Sequence, residues 1–190
     1  MRPPIIALLI LGLSSGHALA DARAGETKAR ICLACHKPQH RLAGMPLLEG
    51  QPATYLFVEL KAYKERRRAD GTSGMQASVA NLSDRDMRDV ADFFAAQPVP
   101  SVAYQVDPAR AALGQSKAAA FGCGNCHLAD RNARTAVPRL AGQAVGYSIG
   151  QLQAFAAGKR PHGDGPNAAP AISLTGADIE DLANYFAQLK

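Results

Sequence analysis

The chain holds 190 residues, with 21 Lys and Arg against 16 Asp and Glu, a net charge of +5, and four cysteines. Beyond the first twenty residues no apolar run approaches the roughly 20 residues that cross a bilayer, which excludes a protein built on several membrane spans. The basic surplus is small and no recognition motif accompanies it, so nucleic acid is not an expected partner.

Residues Met1 to Ala20 read as a secretory leader. Arg2 supplies the positive start, Ile5 to Leu13 a short apolar core, and Ala18-Leu19-Ala20 a small-residue cleavage site. The alternative, a retained membrane anchor, needs a longer apolar run. The mature protein is therefore expected to begin near Asp21 in the periplasm, with 20 basic against 16 acidic residues, a net charge of +4.

A first helix is predicted from about Ala24 into Cys32, leaving Cys32-Leu33-Ala34-Cys35-His36 at its end. In a Cys-x-x-Cys-His string the two thiols can add to the two vinyl groups of one haem while the adjacent imidazole reaches the iron from below. A second helix is predicted from Pro52 to Arg68. After it come the Gly-rich stretch Asp70 to Gly74 and then Met75. A third helix starts at Ser83, with Asp86 three residues on as a carboxylate variant of the capping box, and Met87, Val90, Phe93 and Phe94 form its apolar face.

Residues 98–106 carry Pro98 and Pro100 and lack helical spacing, so they read as a linker of limited flexibility between a first domain, 21–97, and a second, 107–190. The second copy follows the same plan. Asp107-Pro108 opens a helix toward Phe121, Cys123-Gly124-Asn125-Cys126-His127 repeats the motif, Gln143 to Ala157 forms the next helix, and Thr175 with Asp178 caps the last. Ile179, Leu182, Tyr185, Phe186 and Leu189 take its inner face, and no alternating strand pattern occurs, so the class is all-α.

Sliding the chain on itself by 92 positions aligns Pro46 with Pro138, Gly50-Gln51 with Gly142-Gln143, Leu60 with Leu152, Tyr63 with Phe155, Arg68 with Arg160 and Leu82 with Leu174. The motifs themselves sit 91 apart, so one insertion reconciles them, and two copies of one domain of about 80 residues follow. Two such strings use every cysteine in the chain. A disulfide or thioredoxin-like reading leaves both histidines unexplained, and a zinc site is a weaker reading than either. Two covalently bound haem c groups are expected, with Cys32, Cys35, Cys123 and Cys126 as attachment points and His36 and His127 as proximal ligands. A domain this short has little core of its own, so the haem completes it.

These residues resemble class I cytochromes c, and their tandem arrangement resembles the exported diheme cytochrome c4 family, over nearly the whole mature chain. The resemblance implies two tandem class I cytochrome c domains, each wrapped around one haem, stacked edge to edge across a domain interface and serving electron transfer. It implies that the Pro46 and Pro138 carbonyls accept the second proton of each proximal imidazole, and that Met75 is the distal ligand of the first haem. Met45 lies too near the proximal loop, and Met87 reads as core packing.

The second haem departs from the family pattern, because no methionine follows Met87. Repeat register sets Asn167 opposite Met75, and the nearby strong ligand is His162 in Pro161-His162-Gly163-Asp164-Gly165-Pro166. Either a His127/His162 site or an amide, water or empty position is open at this point, whereas His40 reads as solvent-facing.

Three functions stay in play. The first is an exported carrier with inequivalent haems. The second is the cytochrome subunit of a dehydrogenase such as a flavocytochrome c sulfide dehydrogenase, and the third a gas-binding protein acting through the second haem. No nucleophile or acid–base pair marks an enzyme. Expected partners are redox proteins: a terminal oxidase, a membrane quinol-oxidising complex or a flavoprotein dehydrogenase. Lys61, Lys64, Arg66-Arg67-Arg68 and Lys159-Arg160 read as a solvated face that could also steer an acidic partner or an anionic membrane surface.

Overall fold

Ala-rich sequence around Ala18 to Ala24 favours helix, and the first helix accordingly starts before Ala24: α1 spans His17–Leu33. This computed structural model describes residues 17–37, 44–69, 74–127, 136–162 and 173–190, and among them there is no strand. The remaining elements are α2 (Ala53–Lys64), α3 (Gly74–Val79), α4 (Asp84–Ala96), α5 (Pro108–Ala120), α6 (Gly124–His127), α7 (Val145–Ala156) and α8 (Gly176–Gln188). Residues 97–107 run without helix between the halves. No helix of the described residues is long and apolar enough to cross a membrane.

The starts of α4 and α8 are set locally. Ser83 accepts from the Asp86 amide at 3.1 Å while Asp86 accepts from the Ser83 amide at 2.9 Å, and Thr175 and Asp178 repeat this at 3.2 and 2.9 Å. The end of α2 differs from the expected Arg68. Its chain turns at Arg66, where φ is +59°, and the Arg66 and Arg67 amides reach back to the Tyr63 and Ala62 carbonyls, which stops the helix at Lys64.

In each half the N-terminal helix crosses the C-terminal one almost backbone to backbone. A Cβ at Gly25 would stand 2.3 Å from the Asp89 carbonyl oxygen, and one at Gly114 would stand 2.0 Å from that of Asp181. Beside the crossing, Lys28 bridges Asp86 and Asp89, both at 2.6 Å, and Lys117 bridges Asp178 at 2.8 Å and Asp181 at 2.7 Å. Ala29, Leu56, Val90, Ala91 and Phe94 make the first core, against which Cys32 and Leu33 pack. Ala118, Leu182 and Phe186 make the second, packed by Phe121, Cys123 and Leu140. Met87 is fully buried, as core packing requires.

The halves join through reciprocal bonds. The Gln143 side chain pairs with the Leu47 backbone at 2.9 and 2.7 Å, and the Gln51 side chain with the Arg139 backbone at 2.8 and 2.9 Å. Arg68 and Arg160 correct the expectation of a solvated basic face. They are 5% and 9% exposed and lie in this interface, because Arg68 donates to Tyr147 and Gln151 of the second half and Arg160 to Tyr55 and Glu59 of the first. Lys64, Arg66, Arg67 and Lys159 are exposed, as expected.

Candidate functional site

Both motifs fold by the same local bonds. The His36 amide donates to the Cys32 carbonyl at 2.9 Å and the His127 amide to that of Cys123 at 3.0 Å, which brings each imidazole one turn from the first cysteine. Each ring then turns its Nδ1 to the backbone. His36 Nδ1 lies 3.4 Å from the Pro46 carbonyl oxygen and His127 Nδ1 lies 2.8 Å from that of Pro138. Since a carbonyl only accepts, Nδ1 carries the proton and Nε2 keeps its lone pair, the tautomer a metal ligand needs. Burial lowers the pKa of His127 and so keeps the ring neutral, against the opposing pull of the Pro138 carbonyl.

No disulfide joins the four cysteines. Burial raises the pKa of the Cys32 and Cys123 thiols. Beside His127 lies a cavity of about 410 Å³, lined by Cys123, Leu140, Ala141, Phe186 and Leu189 among others, a size within the range of cofactor pockets.

The opposite faces of the two sites are built differently. Met75 lies in the first turn of α3, half-buried, and its neighbour Gln76 donates to the Arg68 carbonyl at 3.0 Å, which ties this short helix to the end of α2. In the second half the ring of His162 stands 5.9 Å from that of His127, tilted by 37°, and meets Phe155 edge-on at 4.8 Å. His162 Nδ1 is buried and without a hydrogen-bond partner. Asn167 and His40 lie outside the described residues.

A haem suits this donor set. The ring centres of His127 and His162 are 5.9 Å apart, so both imidazoles would be within reach of one iron. Arg68 Nε is buried and unpartnered, a donor fitted to a haem propionate. The interface residues Tyr55, Glu59, Tyr147 and Gln151 were not singled out from sequence. Their signal was available, since each pair shares the 92-residue register with Arg68 and Arg160.

Two helical domains in tandem, each with an attachment motif closing its first helical segment and a proline carbonyl orienting the imidazole, define a diheme c-type cytochrome. No protein-family profile matches the chain. It is 33% identical to cytochrome c4 of Azotobacter vinelandii, over 94% of both chains. The crystal structure of reduced recombinant cytochrome c4 from Pseudomonas stutzeri matches with a TM-score of 0.74 at 31% identity, covering 89% of this chain and 98% of that one. A thiosulfate dehydrogenase from Marichromatium purpuratum matches with a TM-score of 0.73 at 27% identity, covering 87% of this chain and 40% of that one. The chain belongs to the cytochrome c4 family: it binds two covalently attached haem c groups and carries electrons without being a catalyst.

Proposed function

We propose that this chain is a periplasmic electron carrier with two unlike haems. The first is attached through Cys32 and Cys35 and ligated by His36 and Met75; the second is attached through Cys123 and Cys126 and ligated by His127 and His162. The observation that carries the reading is the 5.9 Å approach of His162 to His127, with both rings kept neutral, chiefly by burial. Each haem, when bound, supplies a one-electron iron couple. The Met75 thioether favours reduced iron, whereas a second imidazole favours the oxidised state. The second site therefore works at the lower potential. His162 also closes the position a diatomic gas would take, which speaks against gas binding and against Asn167 as the ligand.

Near-infrared and low-temperature magnetic spectra of the oxidised holoprotein test this, with one His/Met and one His/His signature expected. Reduced protein mixed with CO should keep its absorption spectrum, while His162→Ala should open the second haem alone to CO. A native second haem that binds CO, or that is high-spin, overturns the assignment.

The likeness to a thiosulfate dehydrogenase chain, in which this fold accounts for 40% of the length, supports a donor of the dehydrogenase class. We propose that the carrier accepts single electrons from such an enzyme and passes them to a second redox protein. Rapid-mixing reduction by a purified thiosulfate dehydrogenase would check this, and reduction no faster than of an unrelated cytochrome would end it. Export through the leader Met1 to Ala20, with domains at 21–97 and 107–190, belongs to the same reading. Amino-terminal sequencing of the native protein should begin near Asp21.

A further inference from the structure

At the domain interface two guanidiniums and two side-chain acceptors close a ring. Arg68 Nη1 donates to the Glu59 carboxylate, and its Nη2 donates to Gln151 Oε1 at 2.8 Å and Tyr147 OH at 3.0 Å. Arg160 Nη1 donates to Gln151 Oε1 at 2.7 Å, and its Nη2 donates to Glu59 Oε1 at 2.8 Å and Tyr55 OH at 3.2 Å. The partners are repeat equivalents: Tyr55 with Tyr147, Arg68 with Arg160, and Glu59 with Gln151. Of these three pairs the last alone differs, and it differs by one charge. Within this ring of side chains, two buried cations thus share a single carboxylate.

The ring adjoins both distal faces. The Arg160 guanidinium lies over the Phe155 ring at 4.6 Å, and Phe155 in turn meets His162 at 4.8 Å. Arg68 lies over Tyr63, the repeat equivalent of Phe155, also at 4.6 Å, and its carbonyl holds Gln76 beside Met75. Charge in a largely buried interface is less screened than at an open surface, so its effect extends to nearby sites. A negative charge stabilises the more positive, oxidised iron.

We infer that Glu59 is a positioning residue that sets the potentials of both haems: its one carboxylate, shared by Arg68 and Arg160, holds both below the values that an all-amide ring would give. The inference rests on the proposed placement of the two haems, with Met75 and His162 on their distal sides.

The test is a spectroelectrochemical titration of the holoprotein and three variants, with near-infrared spectra recorded on each. Glu59→Gln should raise both midpoint potentials, shifting each reduction equilibrium by roughly threefold to tenfold, where tenfold corresponds to 59 mV for one electron. Gln151→Glu should lower both by a similar factor. The double exchange, Glu59→Gln with Gln151→Glu, keeps the charge and should return both potentials to within about twofold of the native values. Unchanged near-infrared spectra throughout separate this effect from any change of axial ligand. Potentials that stay put in Glu59→Gln, or that move in the same direction in both single variants, overturn the inference. If Glu59→Gln fails to fold, Gln151→Glu decides alone through the sign of its shift.

Discussion

In the first half Lys28 reaches Asp86 and Asp89 beside the close crossing at Gly25, and in the second half Lys117 reaches Asp178 and Asp181 beside Gly114. Capping boxes, proline carbonyls and the turn from first cysteine to histidine also recur. On the far side the described residues differ. The first half sets Met75 on a six-residue helix tied to Arg68, whereas the second sets His162 on the ring of Phe155. Duplication has preserved what holds and orients a haem from below, since that frame is also the helical core. The residues proposed as distal ligands sit where the frame is least committed and are free to differ.

The strongest break of the comparison is to make the halves alike. His162→Met should raise the potential of the second haem by a sizeable part of the about 0.8 V that axial ligands span, narrowing the gap between two titration steps. Met75→His should narrow it from the other side by lowering the first. If His162→Met leaves the second step in place, His162 does not ligate.

A smaller effect should follow from disturbing the shared frame. In Gly114→Ala the added Cβ meets the Asp181 carbonyl at 2.0 Å, and the α5–α8 crossing must open. Loss of about 3 kcal/mol or more is expected, read by denaturant unfolding of the second half with absorption of the first haem as a separate probe. Gly25→Ala, where the contact is 2.3 Å, should strike the first half instead. Equal loss in both halves from either variant would mean that the domains unfold as one unit.

The features legible in the sequence are those whose cause is local. Ser83 with Asp86 and Thr175 with Asp178 announce their helices through bonds three residues apart, and each Cys-x-x-Cys-His carries its chemistry within one turn. The helix α3 escaped because it is six residues long, follows a Gly-rich stretch and buries only Val79. Arg68 and Arg160 read as solvated because nothing near them in sequence reveals a partner domain; their acceptors lie up to 105 residues away. The Gly25 and Gly114 crossing stayed hidden in the 92-residue register, since these positions, like Lys28 and Lys117, are 89 apart.

The clamps predict a dependence on acid. The Lys117 ammonium, ahead of the Thr175 hydroxyl and amide, lowers the Asp178 pKa to about 2, against about 3.9 in an unfolded chain. In the first half the Lys28 ammonium, again ahead of Ser83, lowers the pKa of Asp86 likewise. A carboxylate with a depressed folded pKa adds stability that is complete above its unfolded value and is lost as pH falls toward the folded one. Unfolding midpoints should therefore drop between about pH 4 and pH 2. Lys117→Gln should flatten that drop for the second half, and an unchanged slope would show that the pair is too exposed to matter.

The smallest expected effect lies at the end of α2 and of α7, where one turn is made by two different residues. Arg66 has φ of +59° and its repeat equivalent Gly158 has φ of +65°, with the same pair of backbone bonds closing each turn: Arg66 to Tyr63 and Arg67 to Ala62, Gly158 to Phe155 and Lys159 to Ala154. Left-handed backbone costs a residue with a Cβ on the order of 1 kcal/mol, partly offset by the greater freedom glycine loses on folding. Arg66→Gly should consequently stabilise the first half by roughly 0.5 kcal/mol, and Gly158→Arg should destabilise the second by a similar amount. A Cβ at Gly158 meets nothing within 4 Å, so backbone strain alone sets that cost. A much larger loss in thermal unfolding would mean that the turn after α7 also shapes the approach of His162, four residues on.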